Sequence, residues 1–190
     1  MYGLVNQAIE DLVRHEFGAE TWKRIKAKAG VEVEVFIGME AYPDEITYDL
    51  VRAASEVLGL SAAEILEAFG TYWVRYTARE GYGELFQRAG NDLRTFLGNL
   101  DNLHAHVGLS FPHLSPPSFH CTAAGDDTLI LTYHSKRKGL APMVVGLVKG
   151  LAEKFDTPIG IVQTKHRGDD VDHDEFRITL LAGRSNDQQG

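Results

Sequence analysis

Leu93, Leu97, Leu100, His104, Val107 and Phe111 recur at steps of 3 or 4 along the chain. On a helix they form one apolar ridge with a single imidazole set into it. A neutral histidine there, with no second histidine or carboxylate at i+3 or i+4, is poor for zinc. It is sufficient for one axial bond to an iron held by a macrocycle. His106 points roughly 200° around the same helix, so the two histidines cannot share one metal. Gly108, one turn past His104, offers a flat ligand room to approach. The other reading of His104 is a core imidazole with a satisfied hydrogen bond.

A second set is Tyr133, Ser135 and Arg137, at i, i+2 and i+4. In an extended segment all three side chains project to one side, with Lys136 and Lys138 turned away. Two hydroxyls and a planar guanidinium suit paired carboxylates or a phosphate. The pattern is short, and a mixed polar strand end would look the same. A third set, His166, Asp169, Asp170, Asp172, His173 and Asp174, carries enough nitrogen and oxygen to hold a divalent metal. Its spacing fits neither H-E-x-x-H nor an EF-hand, and a hydrated acidic loop is the competing outcome. The acidic stretch Glu32 to Glu45 reads as a solvated surface.

These residues need elements to position them. Apolar spacing predicts helices over Gly3 to Phe17, Glu20 to Ala29 and Asp44 to Leu58, the last ended by Gly59. Ser61 with Glu64 forms a capping box that opens a helix whose face carries Ile65, Phe69, Trp73 and Tyr76. A long helix is expected from about Asn91 to Phe111, stopped by Pro112 and the Ser115-Pro116-Pro117 segment. Strands are expected at Ser118 to Ala123 and Thr128 to Ser135, turning at Gly125-Asp126-Asp127. A helix from Pro142 to Phe155 and strands at Ile159 to Thr164 and Glu175 to Leu181 complete the pattern. Helices first and strands later imply an α+β fold, a helical N-terminal part packed on a C-terminal antiparallel sheet with one helix. A single domain over residues 1–183 is expected, with a flexible tail over 184–190.

Composition narrows the function. The 190 residues are 44% hydrophobic and 24% charged, enough for a sizeable core. Nineteen Lys and Arg against 27 Asp and Glu give a net charge of -8, which argues against nucleic acid as a partner. No apolar run approaches a membrane span and Met1 to Glu10 lacks the build of a signal peptide, so a cytoplasmic protein is expected. Cys121 is the only cysteine, which excludes an internal disulfide, a four-cysteine metal site and the C-x-x-C-H attachment of a c-type heme. No nucleophile elbow, phosphate-cradling glycine loop or catalytic carboxylate pair stands out, so no enzyme is expected.

The combination of motifs resembles the heme nitric oxide/oxygen binding (H-NOX) domains, including the heme domain of the soluble guanylate cyclase β subunit. The resemblance runs from Met1 to about Leu181. It is carried by Met1-Tyr2-Gly3, Tyr48-Asp49-Leu50-Val51, Leu100-Asp101-Asn102-Leu103-His104, Pro117-Ser118-Phe119 and Tyr133-x-Ser135-x-Arg137. It implies a non-covalent heme b between the two halves, His104 as the proximal iron ligand, and Tyr133, Ser135 and Arg137 on the heme propionates. It also implies that Pro117 presses on the porphyrin and that Val5, Leu100, Trp73 and Met143 line the pocket. Cys121 is the lesser axial candidate. Trp73 and Met143 could equally be ordinary core packing.

Oxygen-binding members carry a distal tyrosine on the helix after the Y-x-S-x-R strand. Pro142 stands at that position here, and the turn Gly139 to Val145 offers no hydroxyl. An apolar distal pocket favours nitric oxide and carbon monoxide over oxygen. The chain is therefore expected to be a nitric oxide sensor that signals to a partner protein, such as a histidine kinase or a cyclic-dinucleotide enzyme. The alternatives are an oxygen-binding heme protein with Trp73 as distal donor, and a metal-binding protein using the His166–Asp174 loop.

Overall fold

Helix α1 (Gly3–Phe17) and helix α2 (Ala19–Lys28) pack side by side, and Gly18 between them adopts a positive φ of 85°. The computed structural model describes residues 1–111, 114–168 and 170–182. Helix α3 (Asp44–Leu58) ends on Gly59 in the left-handed conformation, as its sequence predicts. Helix α4 (Ala62–Thr77) opens with the expected capping box: Ser61 N–H donates to Glu64 at 2.8 Å, and Glu64 N–H donates to Ser61 Oγ at 3.2 Å. A π-helical turn over Ala78–Tyr82 then leads into helix α5 (Gly83–Ala89), which apolar spacing did not reveal.

The long helix expected from Asn91 to Phe111 is two helices, α6 (Leu93–Gly98) and α7 (Leu100–Ser110). Asp92 caps the first by accepting from Thr95 N–H at 2.8 Å. Asn99 breaks the ridge: its backbone leaves helical values, at φ -105° and ψ 7°, and its amide donates to Ala89 O at 2.8 Å. Leu93 and Leu97 are thereby buried in one direction while His104 rides on a separately aimed helix. Pro112, expected to stop the helix, lies outside the described residues, as does the tail 184–190.

Strands β1 (Ser118–Ala123), β2 (Thr128–His134), β3 (Ile159–Lys165) and β4 (Asp174–Leu180) form one antiparallel sheet in the order β1-β2-β4-β3. Leu129, Leu131 and Tyr133 alternate inward along β2. Helix α8 (Ala141–Lys154) follows, with Pro142 in its first turn. The fold is α+β, as the element order implies.

Two hydrophobic cores result. Ile9, Val13, Trp22, Ile25, Phe36 and Leu50 belong to the helical half, and Phe96, Leu97, Leu131, Val148, Phe176 and Ile178 to the sheet half. Helix α4 serves both, with Phe69 and Tyr76 in the first and Val74 in the second. It meets α8 backbone to backbone: a Cβ at Gly146 would fall 1.9 Å from Glu67 O, and one at Gly70 2.2 Å from Met143 O. Only glycine permits that approach. None of the described helices is long and apolar enough to cross a membrane.

Candidate functional site

Between the two cores lies a cavity of about 480 Å³, large enough for a flat organic cofactor. Elements of both halves contribute to its wall: Leu4 and Val5 from α1, Trp73 and Val74 from α4, Leu100 and His104 from α7, Tyr133 from β2, and Met143, Val144 and Leu147 from α8. Pro117, Ser135 and Arg137 join from the adjoining segments. All nine residues that the resemblance assigned to the cofactor therefore line one space.

His104 carries the only basic group inside the apolar part of that wall among the described residues. Its Nδ1 is buried with no hydrogen-bond partner among the described residues, an atom that a purely structural core histidine would leave unsatisfied. Burial pushes its pKa down, against the weaker opposing pulls of the Asp101 carboxylate and the Pro117 backbone. The ring is thus held neutral, the form that binds a metal. It lies 5.8 Å from the Phe119 ring. Asp101 is itself tied down, accepting from Phe119 N–H at 2.7 Å and Ser118 Oγ at 2.9 Å, which fixes α7 against the start of β1. His106 turns outward and pairs with Asn102 O at 2.8 Å. A Cβ at Gly108 would meet nothing within 4 Å, so the space there does not depend on the missing side chain.

The three donors also converge, but for a different reason than an extended strand. β2 ends at His134, and Ser135 Oγ accepts from Arg137 N–H at 3.1 Å in a local turn. The Arg137 guanidinium is already engaged: Nε and Nη2 donate to Asp44 at 2.8 and 3.2 Å, and Nη1 donates to Ser115 O at 3.0 Å. Asp44 also accepts from the Met1 amine at 2.5 Å. Burial opposes ionisation of Asp44, but hydrogen bonds and charge from Arg137 and Met1 outweigh it and hold the carboxyl below its ordinary value. The sequence reading had placed Asp44 on a solvated acidic surface. It is instead the partner of Arg137, 93 residues away along the chain. Nothing in the local pattern at a helix start announces such a partner.

Two further groups went unread. Tyr82, in the π-helical turn, and Thr77 bring hydroxyls to the cavity wall, which is therefore less apolar than the Gly139–Val145 turn suggested. Thr77 donates to Trp73 O at 2.7 Å, while Tyr82 has no hydrogen-bond partner among the described residues. Pro142 does not line the cavity; Met143 does. Cys121 is away from it, and burial pushes its thiol up, which disfavours the thiolate an axial ligand requires. Of the acidic loop, Asp174 is committed to Gln163 at 2.8 Å and Arg167 N–H at 3.0 Å, and Asp169 lies outside the described residues.

Fold and cavity together define an α+β domain with a largely apolar cavity between its two halves, walled in part by one buried imidazole and an edge that carries Arg137. The sequence profile of the Haem-NO-binding family matches residues 2–163, and the chain belongs to that family, the H-NOX domains, which are heme-based gas sensors. It is similar to soluble guanylate cyclase gcy-35 of Caenorhabditis elegans, 32% identical over 99% of this chain and 29% of that protein. It is also similar to gcy-32 of the same organism, 34% identical over 85% of this chain and 24% of that one. The chain thus spans less than a third of these cyclases. Among solved structures, an H-NOX protein from S. oneidensis in the Fe(II)NO ligation state superposes with a TM-score of 0.87 at 21% identity, covering 95% of this chain and 99% of that one. An H-NOX protein from K. algicida superposes at 0.83 and 21% identity, covering 97% and 99%.

Proposed function

We propose that the chain is a nitric oxide sensor that also takes carbon monoxide, holding a non-covalent heme b through His104. The observation that carries the reading is the buried, neutral His104 imidazole, its Nδ1 without a hydrogen-bond partner among the described residues, facing a cavity of about 480 Å³. When bound, the heme supplies an iron position for a diatomic gas. His104 serves as the protein ligand, and Asp101 orients it by fixing α7 to β1. Tyr133, Ser135 and Arg137 receive the propionates; a guanidinium has five donors, and three are used here, leaving two. Pro117, Leu100 and Val5 press on the cofactor faces, and Trp73 and Met143 border the gas. A lone Cys121 supports a heme without thioether links.

The signal leaves through the same arginine. Asp44 on α3 and the Met1 amine share a network with Arg137, so a change at the propionate edge pulls on the helical half. The recipient is a protein partner, with a histidine kinase, a cyclic-dinucleotide enzyme or a cyclase as candidate classes. The guanylate cyclase relatives support the last, and their description as soluble supports a cytoplasmic setting. The Trp73 indole N–H and the Tyr82 hydroxyl, neither with a hydrogen-bond partner among the described residues, are the groups that would turn the pocket toward oxygen.

Absorption spectra of the ferrous protein, alone and then with nitric oxide, carbon monoxide and oxygen in turn, test this directly. A Soret band that His104→Gly weakens or shifts, with adducts of the first two gases only, is the expected result. A colourless wild-type protein refutes the heme. A stable oxygen complex in air that Trp73→Phe abolishes refutes the choice of gas.

A further inference from the structure

One step past the last paired residues of β2 and β4, Tyr133 and Asp174, the register places His134 opposite His173. Cross-strand neighbours share a face of the sheet, and the two imidazoles lie 5.1 Å apart between ring centroids. Asp172 Oδ1 sits 2.8 Å from His173 Nδ1 and 3.6 Å from His134 Nε2. The three ligand atoms all lie within 4.8 Å of one another, the one such grouping among the described residues. A tetrahedral ion with bonds of roughly 2.1 Å separates its donors by about 3.4 Å, so little closure is needed to seat one. The His173 side chain is only 22% exposed, whereas Asp172, at 83%, stands in solvent with His173 Nδ1 as its 2.8 Å partner, a contact that an arriving ion would replace.

We propose that His134, Asp172 and His173 form a second metal site, outside the heme cavity, for a borderline divalent ion of the zinc, nickel or copper class. Two imidazoles and one carboxylate suit these ions, while calcium and magnesium require shells of oxygen. The site differs from the loop the sequence suggested, since only Asp172 and His173 come from that loop and His134 is supplied by β2. A bound ion clamps the end of β2 to the turn before β4, beside Ser135, whose carbonyl accepts from Arg167.

The test is a titration of tag-free, heme-loaded protein, first stripped with a chelator, with Zn²⁺ followed by calorimetry. X-ray absorption at the zinc edge then reads the ligands without interference from iron. One ion per chain with two imidazoles in its shell is expected. His134→Ala and Asp172→Asn should each weaken binding by at least roughly tenfold, with an unchanged Soret band and circular dichroism confirming the fold. His106→Ala, an exposed histidine outside the cluster, should change nothing, and Ca²⁺ and Mg²⁺ should give no heat. The proposal is overturned if wild type fails to bind Zn²⁺ stoichiometrically, if both variants bind as wild type does, or if His106→Ala weakens binding equally. None of those outcomes touches the heme reading, because the readout is zinc.

Discussion

The helical half meets the sheet half in two places that are held by different physics. Along the seam between α4 and α8, backbone lies on backbone at Gly70 and Gly146, and Thr71 Oγ1 donates to Gly146 O at 3.1 Å. At the edge near Tyr133 and Ser135, the halves are joined by the Asp44–Arg137 ion pair, with side chains 34% and 23% exposed. Steric contact at the seam has no alternative arrangement, because close-packed interiors do not deform continuously. An ion pair partly in water can exchange one carboxylate for another at small net cost. The cavity therefore has one fixed wall and one adjustable wall, which is the asymmetry a sensor needs to convert occupancy into movement.

The largest expected effect falls on the fixed wall. Gly146→Ala puts a Cβ 1.9 Å from Glu67 O and 2.9 Å from Thr71 N, neither of which is a flexible side-chain end. Overpacking of this kind costs about 1–3 kcal/mol or more. In a chain of this size each kcal/mol lowers Tm by roughly 2–4 °C, so calorimetry should record a fall of roughly 2–12 °C. Gly108→Ala is the control: its Cβ meets nothing within 4 Å, and alanine favours a helix over glycine, so Tm should hold or rise. If Gly146→Ala behaves like Gly108→Ala, the seam is not fixed.

Arg137→Ala should cost less, about 1 kcal/mol after solvent screening is allowed for, and the loss should shrink further in high salt. Its signature is in the pH dependence. Asp44 is held below its ordinary value of 3.8, so it stabilises the fold above that pH and the contribution disappears as pH falls through the lowered folded value. Denaturant midpoints taken between about pH 5 and pH 2 should fall more steeply for wild type than for Arg137→Ala. Parallel slopes would mean that Asp44 does not depend on the arginine.

Most of the elements were legible because their signals are local. The Ser61–Glu64 box, Gly59 and the alternation of Leu129, Leu131 and Tyr133 each act within a few residues, and each stands where the sequence put it. The break at Asn99 was hidden because leucines keep helical spacing straight through it, and one asparagine does not interrupt an apolar count. The cavity-facing residues were legible through family motifs rather than periodicity. Asp44 escaped notice because an acidic residue at a helix start is fully explained by the helix dipole, with nothing left over to suggest a distant arginine. Tyr82 escaped because the π-helical turn that swings it inward has no sequence signature in this chain.

The smallest expected effect separates two tyrosines ten residues apart, Tyr72 on α4 and Tyr82 in the π-helical turn. Tyr72 donates its hydroxyl to Asp11, which also accepts from Arg79 at 2.5 Å, so it braces α1 against α4 on the fixed side. Removing that hydroxyl in Tyr72→Phe leaves a half-buried carboxylate short of a donor and should cost about 0.5–1.5 kcal/mol. Tyr82 stands over the cavity with no hydrogen-bond partner among the described residues, and burial alone pushes its pKa up. Tyr82→Phe deletes a hydroxyl of a half-buried side chain that has no protein partner among the described residues, so stability should change by less than about 0.5 kcal/mol, in either direction. Its effect belongs to the ligand instead: if Tyr82 faces the bound gas, the carbon monoxide stretching frequency will move in Tyr82→Phe and stay put in Tyr72→Phe. A loss of stability at Tyr82 equal to that at Tyr72 would show that the π-helical turn is another brace, and the adjustable wall would then shrink to the Asp44–Arg137 edge alone.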